Sequence, residues 1–87
     1  MNTKKNYKLR VRAFDINEMI LDHFGNPDAL VDVVVPIRSR NIDLARKRAI
    51  EKVKSVITIG WAKDDVSMIG RWEANPATPM DMKEMSR

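Results

Sequence analysis

Three cations occupy alternate positions near the start of the chain, at Lys8, Arg10 and Arg12. Side chains two residues apart in a β-strand point to the same face, so this spacing places the three charges in one row. Further arginines extend the row on later segments, namely Arg38, Arg40 and Arg71. Clustered Lys and Arg side chains bind phosphate groups and release counterions. The chemistry that this pattern indicates is therefore the binding of an anionic partner.

Patterns typical of catalysis or metal binding are scarce by comparison. The chain has one histidine, His23, and no cysteine, which excludes disulfides and thiolate chemistry. Its three glycines are too far apart to form a phosphate-binding loop. The adjacent carboxylates of Asp64 and Asp65 suit a polar turn better than a cation site, because a metal site needs several converging ligands. We therefore expect no enzymatic activity, no cofactor and no metal.

Charge is distributed in blocks along the 87 residues, whose formal net charge is +4. Residues 1–12 carry a net charge of +5, residues 13–37 carry −5, residues 38–54 carry +5 and residues 55–87 carry −1. Folding either gathers the two basic blocks into one patch or pairs them with the acidic block. The chain has neither an apolar stretch of membrane-spanning length nor a signal-peptide pattern, which favours a cytoplasmic protein without membrane contact.

The elements that must position the cations begin with two predicted strands. From Tyr7 to Phe14 apolar and polar residues alternate, with an inward row of Tyr7, Leu9, Val11 and Ala13. From Ala29 to Ile37 a second inward row consists of Val31, Val33, Val35 and Ile37. Such period-two alternation is typical of strands with one buried face. Pro36 lacks an N–H group, so the second strand either lies at a sheet edge or ends there.

Two helices are predicted around the second strand. The segment Asn17–Phe24 reads as a short helix or a helical turn, with an asparagine cap at its start and Gly25 at its end. The main helix spans roughly Ile42–Ser55 and is capped by Asn41 or Ser39. Its inward stripe at helical spacing consists of Ile42, Ala45, Ala49, Val53 and Val56.

The chain after the main helix has two interpretations. In the first, Val56–Trp61 and Val66–Ala74 form a hairpin around Lys63, Asp64 and Asp65. In the second, the helix continues to Ile59 and only one strand follows. Both tryptophans, Trp61 and Trp72, are expected to anchor the core or the hairpin rather than to stack on bases.

These elements predict an α+β fold. A single-layer sheet of three to four mostly antiparallel strands is covered on one face by one main helix, in the order β-(short α)-β-α-β-β. Residues 1–74 form this single domain, and residues 75–87 form a mobile tail in which Thr78-Pro79 starts a last helical turn. One helix covers only one face, so the other face meets water or a partner.

Two kinds of partner suit the uncovered face. Nucleic acid would contact its cations, although sheets that read RNA present aromatic side chains for stacking and this face offers at most Phe14. A protein partner would use the same cations and the apolar residues between them. The residues expected at the interface are Lys8, Arg10, Arg12, Val34, Arg38, Arg40, Ile69 and Arg71. Arg10 and Arg12 are expected to be exposed, so reversing their charge would weaken binding and leave stability nearly unchanged.

The layout of four segments, Tyr7–Phe14, Val31–Ile37, Ile42–Ser55 and Val66–Ala74, resembles small bacteriophage accessory proteins, including inhibitors of host RNA polymerase and anti-CRISPR proteins. The resemblance is one of architecture and implies a stoichiometric inhibitor that binds a host nucleic-acid-handling complex. Many such inhibitors are acidic mimics of DNA, and the net charge of +4 departs from that pattern. The implied contact is then with an acidic protein surface or with the bound nucleic acid. The chain itself is expected to be a monomer or a homodimer paired through an open strand edge.

Overall fold

The structure, a computed structural model, describes residues 3–18 and 21–79. Its elements are, in chain order, β1 (Lys5–Asp15), β2 (Ala29–Ser39), α1 (Ile42–Gly60), α2 (Lys63–Ser67) and β3 (Ile69–Pro76). The strands form one antiparallel sheet in the order β2-β1-β3. The predicted α+β fold, with one main helix and a small antiparallel sheet, is confirmed. Neither helix in this part of the chain has the length and apolar character needed to cross a lipid bilayer.

The hydrophobic core lies between the sheet and α1. The predicted inward row of β1 is fully buried at Leu9, Val11 and Ala13. Opposite it, α1 contributes the small side chains of Ala45 and Ala49, which are also fully buried. Small residues at these positions let the helix lie close to the sheet. The remaining members of the core are Val31, Val53, Ile57 and Ala74.

Both tryptophans lie on the side of the sheet that faces α1. Trp61, which directly follows α1, and Trp72, in β3, are half-buried and pack against the core. The ammonium group of Lys54 lies 5.4 Å from the centre of the Trp72 ring. The prediction that both rings serve the core is therefore confirmed.

Helix α1 begins where the sequence predicts. The Asn41 side-chain oxygen accepts a hydrogen bond from the Leu44 amide at 2.9 Å, so Asn41 is the cap. The predicted inward stripe is correct except at Val56, which is 64% exposed. Ile57 is buried instead, because it lies four residues after Val53 and continues the row of Ala45 and Ala49.

The hairpin interpretation of the segment after Ser55 is wrong, and the longer helix is correct. α1 continues to Gly60, and a single strand, β3, follows the one-turn helix α2. Burial of Ile57 extends the helical period past the predicted end. Two hydroxyls also bond back along the helix, from Ser55 to the Glu51 carbonyl and from Thr58 to the Lys54 carbonyl.

The short helix predicted over Asn17–Phe24 does not form in the described residues of that segment, which exclude residues 19 and 20. An isolated bridge joins Leu21 to Pro27, and the chain between them turns around Asp22. Its carboxylate accepts hydrogen bonds from the amides of Phe24 and Asn26, at 2.9 and 3.0 Å. This side chain thus offers the backbone an alternative to helical bonding, as aspartate commonly does in turns.

Strand β3 extends the sheet past its predicted end at Ala74. Pro76 lies opposite Leu9, so the first two residues of the predicted mobile tail belong to the sheet. The helical turn predicted to start at Thr78-Pro79 lies mostly outside the described residues, which end at Pro79. The rest of the predicted tail, residues 80–87, lies outside the described residues.

Candidate binding surface

The side of the sheet turned away from α1, here called the open face, carries the even-numbered residues of β1 and β2. Lys8 lies opposite Pro36, Arg10 opposite Val34 and Arg12 opposite Asp32. The register of β3 adds Arg71 opposite Phe14, and Glu73 opposite Arg12. Six of the eight predicted interface residues share this face: Lys8, Arg10, Arg12, Val34, Arg38 and Arg71. The predicted row of cations is therefore present in space.

Asp32 neutralises part of this row. Arg10 donates to both of its carboxylate oxygens, from Nε at 2.7 Å and from Nη2 at 2.5 Å. Arg12 Nε lies 3.6 Å from the same carboxylate. The side chains of Arg10 and Arg12 are consequently only 24% and 32% exposed. The expectation that both are freely exposed is wrong, because the acidic block of the sequence contributes one carboxylate between them.

Phe14 lies beneath two arginines of the open face. The guanidinium carbon of Arg71 is 4.1 Å from the ring centre and that of Arg12 is 5.1 Å away. Both distances suit cation–π contact. The ring is only 3% exposed. The one aromatic residue of this face is therefore covered by cations and is not available for stacking on a base.

Arg71 is held by two carboxylates as well as by the ring. Its Nε donates to Glu18 at 2.6 Å, and its Nη1 donates to Glu73. The hydrogen bond to Glu18 raises the pKa of the Arg71 guanidinium above its usual value; desolvation opposes this effect and the bond to Glu73 adds to it. The charge of Arg71 is thus balanced locally, and its side chain fixes the Glu18 turn to the sheet.

Ile69 does not belong to the open face, so the prediction that it lies there beside the other interface residues is wrong. It is half-buried and packs against the core. Strict alternation along β3 would have placed it beside Arg71. However, the register shifts between Phe14 and Asp15, where the partners change from Arg71 to Ile69 and Gly70 is skipped. Such a bulge reverses the face that the next side chain takes.

Many of the basic residues gather at one end of the molecule, here called the basic end. Antiparallel pairing brings the start of β1 to the end of β2, where Lys5 lies opposite Ser39, and α1 starts just beyond. The basic side chains of this end are Lys4, Lys5, Lys8, Arg38, Arg40, Arg46, Lys47 and Arg48. Asp43 is the one carboxylate among them in the described residues, and it lies 3.8 Å from Arg46.

The opposite end, here called the acidic end, contains the end of β1, the described residues between β1 and β2, the end of α1, and α2. Its carboxylates are Asp15, Glu18, Asp22, Asp28, Asp64 and Asp65, against the bases Lys63 and Arg71 among the described residues. Helix α1 has its N-terminus at the basic end, so its dipole adds to this separation. The charge blocks of the sequence predict this polarity once β1 and β2 are known to pair antiparallel along their full length, with the start of β1 beside the end of β2.

Other chemistry is limited in the described residues. No three histidine or carboxylate side chains lie close enough together to hold a metal ion. His23 is exposed in the turn around Asp22. Arg40, the last predicted interface residue, is exposed directly after β2 and belongs to the basic end. Comparison with protein-family models, with curated proteins and with solved structures finds no match for this chain.

Proposed function

We propose that this chain is a non-enzymatic binding protein that modulates a nucleic-acid-handling complex by contact with an acidic protein surface of that complex. The contact is made by the basic end and the adjacent part of the open face. The residues at its centre are Lys8, Arg38 and Arg40. In this assignment Arg10, Arg12 and Arg71 are not the main contact residues, although the sequence predicted that they were part of the interface.

The observation that carries the proposal is the difference between paired and unpaired cations. Arg10 and Arg71 already hold carboxylates of this chain. Lys8, Arg38 and Arg40 are exposed, and no described carboxylate lies within ion-pair distance of them. Unpaired charges at one end of a domain attract an oppositely charged partner and orient its approach.

The covered ring of Phe14 favours a protein partner over single-stranded nucleic acid. Domains that bind single strands combine a basic groove with aromatic side chains on which the bases stack. Here the aromatic residue of the open face lies under Arg12 and Arg71. The apolar surface between the cations comes from Val34 and Pro36, which suits the mixed composition of a protein interface.

A second candidate function is contact with nucleic-acid phosphates through the basic end alone. The observation in its favour is the same excess of basic side chains, which phosphate binding uses without reading bases. The affinity would then fall steeply with salt and would not depend on sequence.

The test is a pull-down from host-cell lysate with the tagged protein, with and without nuclease, using two single charge reversals. Lys8→Glu changes the basic end, and Lys63→Glu makes the same change of net charge at the acidic end. We expect a discrete protein partner that survives nuclease, is retained by Lys63→Glu and is lost or much reduced with Lys8→Glu.

Two results would contradict the protein-contact proposal. Material that nuclease removes and that weakens with rising salt would support phosphate binding instead. A protein partner that both reversals retain equally would place the contact away from the basic end. Far-ultraviolet circular dichroism of both variants controls for loss of the fold.

A further inference from the structure

Strand β2 forms one edge of the sheet, and half of its backbone groups face away from β1. The Ala77 amide donates to the Lys8 carbonyl at 2.8 Å, so the even-numbered residues of β1 direct their backbone toward β3. The odd-numbered residues of β1 then face β2 and pair with odd-numbered partners, such as Leu9 with Val35. The backbone N–H and C=O groups of the even-numbered residues of β2 consequently point outward from the sheet.

Three of the five even-numbered positions are not fully available for pairing. Leu30 is skipped where the register with β1 shifts between Ala13 and Phe14. Pro36 has no N–H group, and the Arg38 carbonyl accepts a hydrogen bond from the Arg48 side chain at 3.2 Å. Asp32 and Val34 remain, and no hydrogen bond to their backbone groups comes from described residues outside the β1 ladder. The edge therefore presents two residues, each with one free donor and one free acceptor. Exposed strand edges of this kind pair with another strand.

An apolar groove runs beside the same edge on the helix side. Its volume is about 410 Å³, and its apolar lining residues are Leu30, Val31, Val33, Val35, Val53, Val56, Ile57 and Trp61. Val33 is the one residue of the inward row of β2 that remains exposed, at 38%, and Val56 across the groove is 64% exposed. A strand added at this edge would cover both side chains.

We propose that a second copy of this chain occupies the edge, through antiparallel pairing of β2 with β2 about a two-fold axis at Val33. In this register Asp32 of one copy lies opposite Val34 of the other, so the four free donors and four free acceptors of the two copies satisfy one another. Val33 packs against its own symmetry mate, and Val31 packs opposite Val35. The two sheets become one sheet of six strands with both open faces on the same side.

Neighbouring registers fit less well. An axis at Asp32 would place the two Asp32 carboxylates opposite each other, where like charges repel. An axis at Val34 would place Pro36 opposite Asp32, and an axis at Val35 would place Pro36 opposite Val34. In both registers these pairs would lack one donor, because proline has no N–H group. We commit the occupant to a second copy because, in the register about Val33, the free groups of Asp32 and Val34 satisfy those of another β2 and the exposed Val33 side chain covers its own mate. The inference does not rest on the proposed function, since it uses the strand edge and the helix side of the sheet.

The first test is the mass in solution, measured by analytical ultracentrifugation over a range of concentrations. We expect a species of twice the 10.0 kDa chain mass. Val34→Pro removes one outward N–H that the β1 ladder does not use, so the variant should sediment as a folded monomer. Val34→Thr keeps that N–H and a similar shape, and it should remain a dimer. A wild-type monomer at all concentrations, or a Val34→Pro dimer, would overturn the proposal.

A second test does not depend on the proline variant folding. The chain has no cysteine, so single cysteines can be introduced cleanly. Directly opposed residues in a non-hydrogen-bonded antiparallel pair have Cα atoms roughly 4.5 Å apart, which a disulfide can bridge. Val33→Cys should therefore cross-link two chains under mild oxidation. Val35→Cys should not, because its symmetry mate is displaced by four residues, about 14 Å along the strand. Equal cross-linking of both variants would contradict the register.

Discussion

Asp32 sets the charge of the open face more than any other single residue that the structure describes there. It comes from the acidic block of the sequence, yet its carboxylate lies between Arg10 and Arg12. All three side chains are half-buried, so loss of the ion pairs would leave polar groups in poorly solvated positions. A row that reads as three equal cations in the sequence therefore becomes two paired cations and one, Lys8, that has no carboxylate partner among the described residues.

Replacing Asp32 by asparagine should destabilise the protein by about 1–2 kcal/mol, because Arg10 loses a bidentate charged acceptor while its position stays half-buried. Urea unfolding measures the change. Glu51→Gln removes a carboxylate from the exposed side of α1 and should change stability by less than about 0.5 kcal/mol. Equal effects from the two substitutions would mean that the Asp32 ion pairs contribute nothing specific.

The parity of the two long strands could be predicted from sequence, because alternation of apolar and charged residues directly reports which face is buried. Leu9, Val11 and Ala13 face the core as expected. The pairing of Asp32 with Arg10 could not be predicted, because it depends on the register between strands that are separated by a turn. Ile69 was misplaced for a related reason, since a glycine inside a strand pattern, here Gly70, fits either a bulge or a regular position, and the pairing with β1 decides between them.

At the scale of elements, Gly70 explains where that bulge lies. A Cβ atom at this position would stand 2.6 Å from the Cα atom of Ile16, a contact that requires the backbone to move. The Ile16 amide also donates to the Met68 carbonyl at 2.7 Å, so the chain after β1 crosses close to the start of β3. Only glycine allows this approach without displacement.

Gly70→Ala should therefore lower the free energy of unfolding by roughly 1–3 kcal/mol, as overpacking against backbone does. Gly60→Ala is the matched control. Nothing lies within 4 Å of a Cβ atom at Gly60, and the residue ends α1, so alanine there should be neutral or slightly stabilising. Thermal denaturation of the two variants side by side would show whether the close approach at Ile16 is required.

The cap of α1 allows a second prediction at this scale. Asn41→Ala removes the acceptor of the Leu44 amide and should cost about 1 kcal/mol, whereas Asn41→Asp keeps an acceptor and should cost little. Chemical denaturation measures both. A loss of equal size in the two variants would indicate that the Asn41 amide group, and not its oxygen, supports the helix start.

At the scale of the whole molecule, the dominant feature is the separation of charge between the two ends. The fold is elongated, with extents of 46 × 28 × 22 Å. The net charge of +4 understates the charge at each end, because basic and acidic side chains accumulate at opposite ends of the molecule. Composition alone predicts a basic protein. The antiparallel pairing of β1 and β2 places the basic blocks of the sequence at one end of the molecule and much of the acidic block at the other.

This polarity predicts that two variants with the same net charge bind a charged surface differently when the reversed charge lies at different ends of the molecule. On a cation-exchange column at neutral pH, Lys5→Glu should shift elution to lower salt by clearly more than Lys63→Glu, because the basic end faces the resin. The measured quantity is the salt concentration at elution. Identical shifts would show that the column responds to the net charge of the molecule and not to its distribution.

The position of the two tryptophans on the helix side has a practical consequence for following binding. Trp61 lines the groove beside β2, and Trp72 lies under Lys54 against the core, whereas the open face contains no tryptophan among its described residues. Intrinsic fluorescence should therefore respond when α1 separates from the sheet or when a strand covers the β2 edge. A ligand that occupies only the open face should leave the emission spectrum unchanged, so a single optical measurement distinguishes occupation of the two surfaces.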